Sequence, residues 1–198
     1  MTDESLFGPG SDHALPDQSE PKPRAGGWPE FRDARLSKFL QAYLEFGPAG
    51  QVPERAAIDP VQLGPLLSHV WLYSHDRDQD RFFCEIVGEN AKGAWQRPMM
   101  KQWADDIFDV ADLAQITFRW KRVMAESLVL HASYSEPKRF RHAERVAVPI
   151  VGADGAAIYV FGMSTYERLT SEDKQQAPAA LESVIYYRFS GLTSPDEE

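Results

Sequence analysis

The sequence predicts an α+β domain: a five-stranded antiparallel sheet with covering helices, plus an N-terminal and a C-terminal helix. Three observations predict it. The first is the stretch from Glu144 to Glu167, two apolar runs joined by a short turn. Val146, Val148 and Ile150 point one way in the first run, and Arg145, Ala147 and Pro149 the other. In the second run Tyr159, Phe161 and Met163 share one face, and Ile158, Val160 and Gly162 the opposite one. Asp154-Gly155 turns the chain, with Gly155 free to take positive φ. A hairpin apolar on both faces needs cover on both, from helices or a ligand on one side and a helix or a second subunit on the other. The second observation is a pair of amphipathic helical patterns, and the third is the order in which strands and helices follow one another.

Residues 1–27 are rich in Pro, Gly, Ser and Asp and read as a disordered tail. An N-terminal helical unit occupies residues 28–50. Within it Phe31, Leu36, Phe39, Leu40, Tyr43 and Leu44 recur at helical spacing from Phe31 to Phe46, and Gly47-Pro48 ends the pattern. The main domain spans residues 51–168. Asp59-Pro60 starts a short helix, an N-cap carboxylate followed by Pro at the first position; Gly64-Pro65 breaks or kinks it among Leu63, Leu66 and Leu67. Val70 to Tyr73 and Arg81 to Val87 are strands around the polar turn Ser74 to Asp80.

Gly88 to Phe108 is broken and polar yet carries Trp95, Met99, Met100, Trp103 and Phe108. Short helices at Glu89 to Trp95 and Met99 to Ile107 are expected there, packed over the sheet. Asp109 caps a helix to Glu126 with Val110, Leu113, Ile116 or Thr117, Trp120, and Val123 or Met124 on its stripe. Leu128 to Tyr134, Arg139 to Ile150 and Ala156 to Tyr166 follow as strands, with Pro149 an awkward strand residue. The middle helices must return the chain to the sheet beside the first strand. Residues 169–191 read as a C-terminal helix, with a capping signature at Thr170 to Asp173 and a stripe of Ala177, Leu181, Val184, Ile185 and Phe189. Residues 192–198 are an acidic tail.

A formal charge of -9 argues against nucleic acid as a partner. One cysteine, Cys84, excludes an intramolecular disulfide and suits a reducing compartment. No signal peptide and no apolar run of membrane-spanning length is present, so a cytoplasmic protein without membrane contact is expected.

From about Leu36 to Arg168 this order resembles a PAS domain, in wording nearest to the stand-alone PAS family of alphaproteobacteria. Four stretches carry the likeness: Val52 to Arg55 leading into Ile58-Asp59-Pro60; Leu66-Leu67 to Leu72; Phe82 to Gly88; and Arg145 to Tyr166 with its Pro and Asp-Gly turn. The resemblance implies a non-catalytic sensory or regulatory module, a homodimer with a protein partner in a signalling pathway. Such modules hold a small ligand between sheet and middle helices, or pair through the N-terminal helix and outer sheet face. The helices Phe31 to Phe46 and Ser171 to Phe189 are then the contact elements, and a charge at Leu40 or Tyr43 is expected to weaken self-association.

Candidate ligand-pocket residues are Trp95, Trp103, Trp120, His131 and Tyr134. The aromatic members offer wide apolar faces with one polar handle, although core packing selects the same types. His131 is the best single candidate among His69, His75, His131 and His142; hydrogen-bonded or solvated histidine is the commoner outcome. The cofactor is unknown, with neither a flavin nor a haem motif evident. Cys84 lies in a strand rather than in the helical Asn-Cys-Arg setting of flavin photoreceptors, and Asp109 to Glu126 holds no histidine. No spacing suits zinc. Lys138, Arg139, Arg141, His142 and Arg145 form a basic run, fit for a phosphorylated ligand or an acidic partner, or merely the solvated face of a hairpin. The alternative reading is a small enzyme on a similar curved sheet, with His131, Glu85 and Tyr134 as candidate acids or bases. A buried carboxylate paired with His131 would favour it.

Overall fold

The computed structural model describes residues 20–95, 98–136, 141–168 and 182–193. Among them lie an open antiparallel sheet of six strands, β1 (Val70–Asp76), β2 (Arg81–Val87), β3 (Leu128–Glu136), β4 (Arg141–Val151), β5 (Ala157–Arg168) and β6 (Glu182–Arg188), and five α-helices. The helices are α1 (Ala34–Glu45), α2 (Pro60–Leu63), α3 (Glu89–Trp95), α4 (Ala104–Ile107) and α5 (Val110–Glu126). The strand order is β2-β1-β5-β4-β3-β6.

Helix starts follow local chemistry. The carboxylates of Asp33, Asp59 and Asp109 accept from the N–H groups of Arg35, Val61 and Asp112, each at 2.9 Å. The β4–β5 hairpin turns at Gly155, φ 75°, where Asp154 Oδ1 accepts from Ala156 N at 3.0 Å.

Side-chain alternation divides the core into two layers. On the inner face Trp71, Tyr73, Phe82, Cys84, Leu130, Ala147 and Val160 meet Trp120, Val123 and Met124 of α5, together with Met99, Ile107 and Phe108. On the outer face Val70, Leu72, Val146, Val148, Ile150, Phe161 and Met163 meet Leu36, Phe39, Leu40 and Tyr43 of α1. The cover that the hairpin demands on its outer side thus comes from α1 of the same chain. Leu40 and Tyr43 are fully buried there. A charge at either position strikes the core, so it does not report on self-association as the sequence suggested. Gly162 belongs to the same logic: a Cβ there would lie 2.3 Å from Cζ2 of Trp71. Its absence lets the Trp71 indole approach the β5 backbone closely and donate Nε1–H to Ser164 Oγ at 2.9 Å.

Four expectations need correction. First, β6 stands where the C-terminal half of a helix was predicted. Val184, Ile185, Tyr186 and Tyr187 are β-branched or aromatic, and Tyr186 faces the inner layer while Tyr187 faces the outer one. A residue run apolar on both sides suits a strand, and it pairs antiparallel along β3 from Leu128↔Arg188 to Tyr134↔Glu182. The capping signature at Thr170 to Asp173 lies outside the described residues.

Second, the end of the expected disordered tail is ordered. Arg24 pairs in parallel with β6: Arg24 N donates to the Tyr186 carbonyl at 2.8 Å, and Arg188 N to the Arg24 carbonyl at 3.0 Å. Glu20 reaches Arg119 of α5, Oε1 to Nε 2.9 Å, and Arg119 also grips Glu182. This arm blunts an open sheet edge. Gln102 and Lys101 do the same for β2, exchanging backbone hydrogen bonds with Cys84 at 2.9 and 2.8 Å.

Third, the crossover does not set β3 beside β1. Strands β3, β4 and β5 are joined by short connections, so each lies next to its predecessor, and it is β5 that returns to pair with β1. Fourth, residues 99–103 are not helical but run along β2, with Lys101 at positive φ.

Pro149 costs no ladder hydrogen bond. β3 pairing extends only to Leu130↔Ala147. Beyond it the Pro149 carbonyl accepts from Tyr43 OH at 2.6 Å, and Val151 N donates to the Pro53 carbonyl at 3.0 Å.

Candidate functional site

α1 covers only part of the outer face. Beyond its N-terminus the sheet becomes polar, and a cleft of about 320 Å³ opens there. Three remote stretches converge on it: Arg24, Glu30 and Arg32 from the arm and the approach to α1; His131, Ser133, His142 and Glu144 from β3 and β4; and Ser183, Ile185 and Tyr187 from β6.

At its floor His131 Nε2 lies 2.8 Å from Oε1 of Glu144, and both residues are more than nine-tenths buried. A carboxylate only accepts, so Nε2 carries the proton, and in the neutral ring Nδ1 is left as the acceptor. Glu144 also accepts from two backbone N–H groups, Arg32 N to Oε1 at 3.0 Å and Asp33 N to Oε2 at 2.9 Å. Burial pushes its pKa up, but the hydrogen bonds from His131, Arg32 and Asp33 outweigh burial and hold it below the ordinary 4.5. The edge of Phe31 packs on the imidazole, centroids 4.8 Å apart. Glu144 thereby fixes the point at which the chain leaves the arm and becomes α1, while Asp33, the next residue along, caps the helix.

The pocket candidates do not gather in one place. His131 lies on the outer face, away from the space between sheet and α5. Trp120 and Tyr134 do share the inner face, where the gaps they line hold only about 20 Å³ each. Trp120 is surrounded by Tyr73, Phe82 and Trp71, at centroid distances of 4.4, 5.2 and 5.5 Å. Tyr134 OH accepts from Arg145. Trp103 sits outside the β2 edge, against Phe83 and under the Arg81 guanidinium. The backbone of Trp95 ends α3, but its side chain lies outside the described residues.

The remaining candidates separate as well. Glu85 pairs with Lys101 and accepts from Ser74 at a distant strand. His69 Nε2 lies 2.9 Å from Arg35 Nη1 and 3.0 Å from Asn90 Nδ2. A guanidinium only donates, so Nε2 accepts; burial, and then the Arg35 charge, lower the His69 pKa. His75 stacks on Phe82 and meets Asp80. In the basic run, His142 faces the outer cleft and Arg145 the inner side; Lys138, Arg139 and the Arg141 side chain lie outside the described residues. Among the described residues no group of three or more His, Cys, Asp or Glu is placed to hold a metal, and no helix is long and apolar enough to cross a membrane.

Cys84 is buried in the inner layer, and burial pushes its thiol up to about 11. At pH 7 roughly one molecule in 10⁴ carries a thiolate. The folded chain is expected to resist Ellman's reagent for hours and to react at once in guanidinium. Rapid labelling of the folded chain would contradict this burial.

Sequence reasoning reached His131 but missed Glu144, Arg24 and Arg32. One signal was present: Glu144 is in phase with Val146, Val148 and Ile150, an acid placed on a buried face. No family model matches the chain, and no curated protein sequence matches it either.

Proposed function

We propose that this chain is a PAS-like regulatory module that acts by association with another protein, modulated by a small ligand, and that it is not a catalyst. One observation supports the reading above others. From β1 to β5 the order of strands, short helices, long helix and strands is the order on which the sequence resemblance rests. A homodimer, a protein partner in a signalling pathway and a cytoplasmic setting belong to the same proposal.

The alternative, a small enzyme, draws on the His131–Glu144 pair, because a buried carboxylate that orients an imidazole is a common way to hold a base. The geometry favours the regulatory reading. Glu144 is committed to the Arg32 and Asp33 backbone, and neither Glu85 nor Tyr134 lies beside His131.

Native mass spectrometry of the purified chain, set against its denatured mass, tests the proposal. A dimer, or extra mass that vanishes on denaturation, is the expected result. A bare monomer at every concentration would count against it.

A further inference from the structure

We infer that the outer-face cleft beside His131 is a binding site for a small anion bearing a carboxylate or phosphoryl group. This goes beyond the regulatory proposal and does not depend on it.

The chain is acidic overall, yet two guanidinium groups border this cleft. Arg24 rests on the Tyr187 ring, 5.6 Å from its centroid, and among the described residues no carboxylate pairs with it. Among the described residues the Arg32 guanidinium pairs with Glu167 alone, at 3.2 Å, with both side chains more than two-fifths exposed. Such a bridge contributes little, and a ligand can replace it. Two carboxylates line the cleft. Glu144 is already satisfied by His131 and two backbone N–H groups. In formal charge Glu30 and Glu144 match Arg24 and Arg32, but the Glu144 oxygens are taken up at the floor, so Glu30 is the cleft-lining carboxylate left to accept from the two guanidinium groups.

The floor is shaped for polar contact. Ser133 and Ser183 face each other across β3 and β6. Small hydroxyls at paired positions leave depth where larger side chains would fill the face, and each supplies a donor. Two guanidinium groups above two hydroxyls match an oxyanion group, which arginine binds through paired N–H donors. Because Arg24 and Arg32 belong to the arm and the approach to α1, Ser133 to β3 and Ser183 to β6, such a ligand would tie together three stretches remote in sequence.

The test is an amide NMR titration of the full chain with inorganic phosphate and, separately, with succinate, against sodium chloride at matched ionic strength. Saturable shifts centred on Arg24, Arg32, Ser133 and Ser183, with a Kd below about 1 mM, are expected for at least one probe. Saturation by phosphate alone assigns a phosphoryl ligand, and saturation by succinate alone a carboxylate. The R24Q/R32Q double variant should weaken binding tenfold or more. Both side chains are exposed, so its unfolding midpoint should stay near that of wild type. K38Q, on the exposed side of α1, removes one charge away from the cleft and should bind as wild type does. Shifts that chloride reproduces, no saturation by either probe, or undiminished binding by the double variant overturns the inference.

Discussion

Glu144→Ala is expected to destabilise the chain by about 3 kcal/mol, and to lower its unfolding temperature by roughly 10 °C for a chain of this size. The reason is geometric. One carboxylate satisfies the imidazole of His131 and the backbone N–H groups of Arg32 and Asp33. Truncation leaves a buried donor on β3 without its partner and detaches the segment that sets α1 over the sheet. Glu144→Gln should cost less, because one amide oxygen remains to accept while the amide nitrogen opposes the other donors. Acid should act on the same contact. The folded-state pKa of Glu144 is lowered, so its contribution is present in full above the unfolded value near 4.5 and is lost as pH falls through the lower folded value. Urea melts from pH 6 to pH 3 check this: the wild type should lose stability across that range more steeply than Glu144→Ala. Superimposable curves, or an unchanged midpoint at pH 7, would mean that the Glu144 contacts do not hold α1 on the sheet.

What was legible in the sequence depended on how local the determining chemistry is. Asp59-Pro60, Asp109 and the Asp154-Gly155 turn act within a few residues, and each stands where the sequence put it. The two-faced hairpin correctly demanded cover on both sides. The C-terminal segment failed because Leu181, Val184 and Ile185 fit a helical stripe, while the strand reading depends on Tyr186 and Tyr187 entering opposite layers. That failure carried another with it. The arm around Arg24 is ordered by hydrogen bonds to β6, so with β6 misread the arm had nothing to pair with and its composition suggested disorder. The site was lost in the same way. His131 and Glu144 meet diagonally across β3 and β4, in a register where His131 faces Val146 and Ser133 faces Glu144. Alternation places each residue on a face, but it does not fix that register.

Trp120→Ala carries the second large effect, a loss of about 3–5 kcal/mol, and it decides between the two readings of that residue. Trp120 is 6% exposed, and its indole touches rings contributed by β1, β2 and the approach to α5. In the wild type the gaps around it hold about 20 Å³ each, too little for an aromatic ligand. If the residue is core, its removal opens an apolar cavity that stays dry and accepts a ring of matching size. Millimolar indole should then raise the unfolding temperature of Trp120→Ala by several degrees and leave the wild type unmoved. If Trp120 instead walls a working ligand pocket, indole should stabilise the wild type at least as strongly as the variant. Thermal melts of both proteins, with and without indole, separate the two outcomes. The close aromatic packing around Trp120 predicts the first, because the gaps beside it leave no room for a ring.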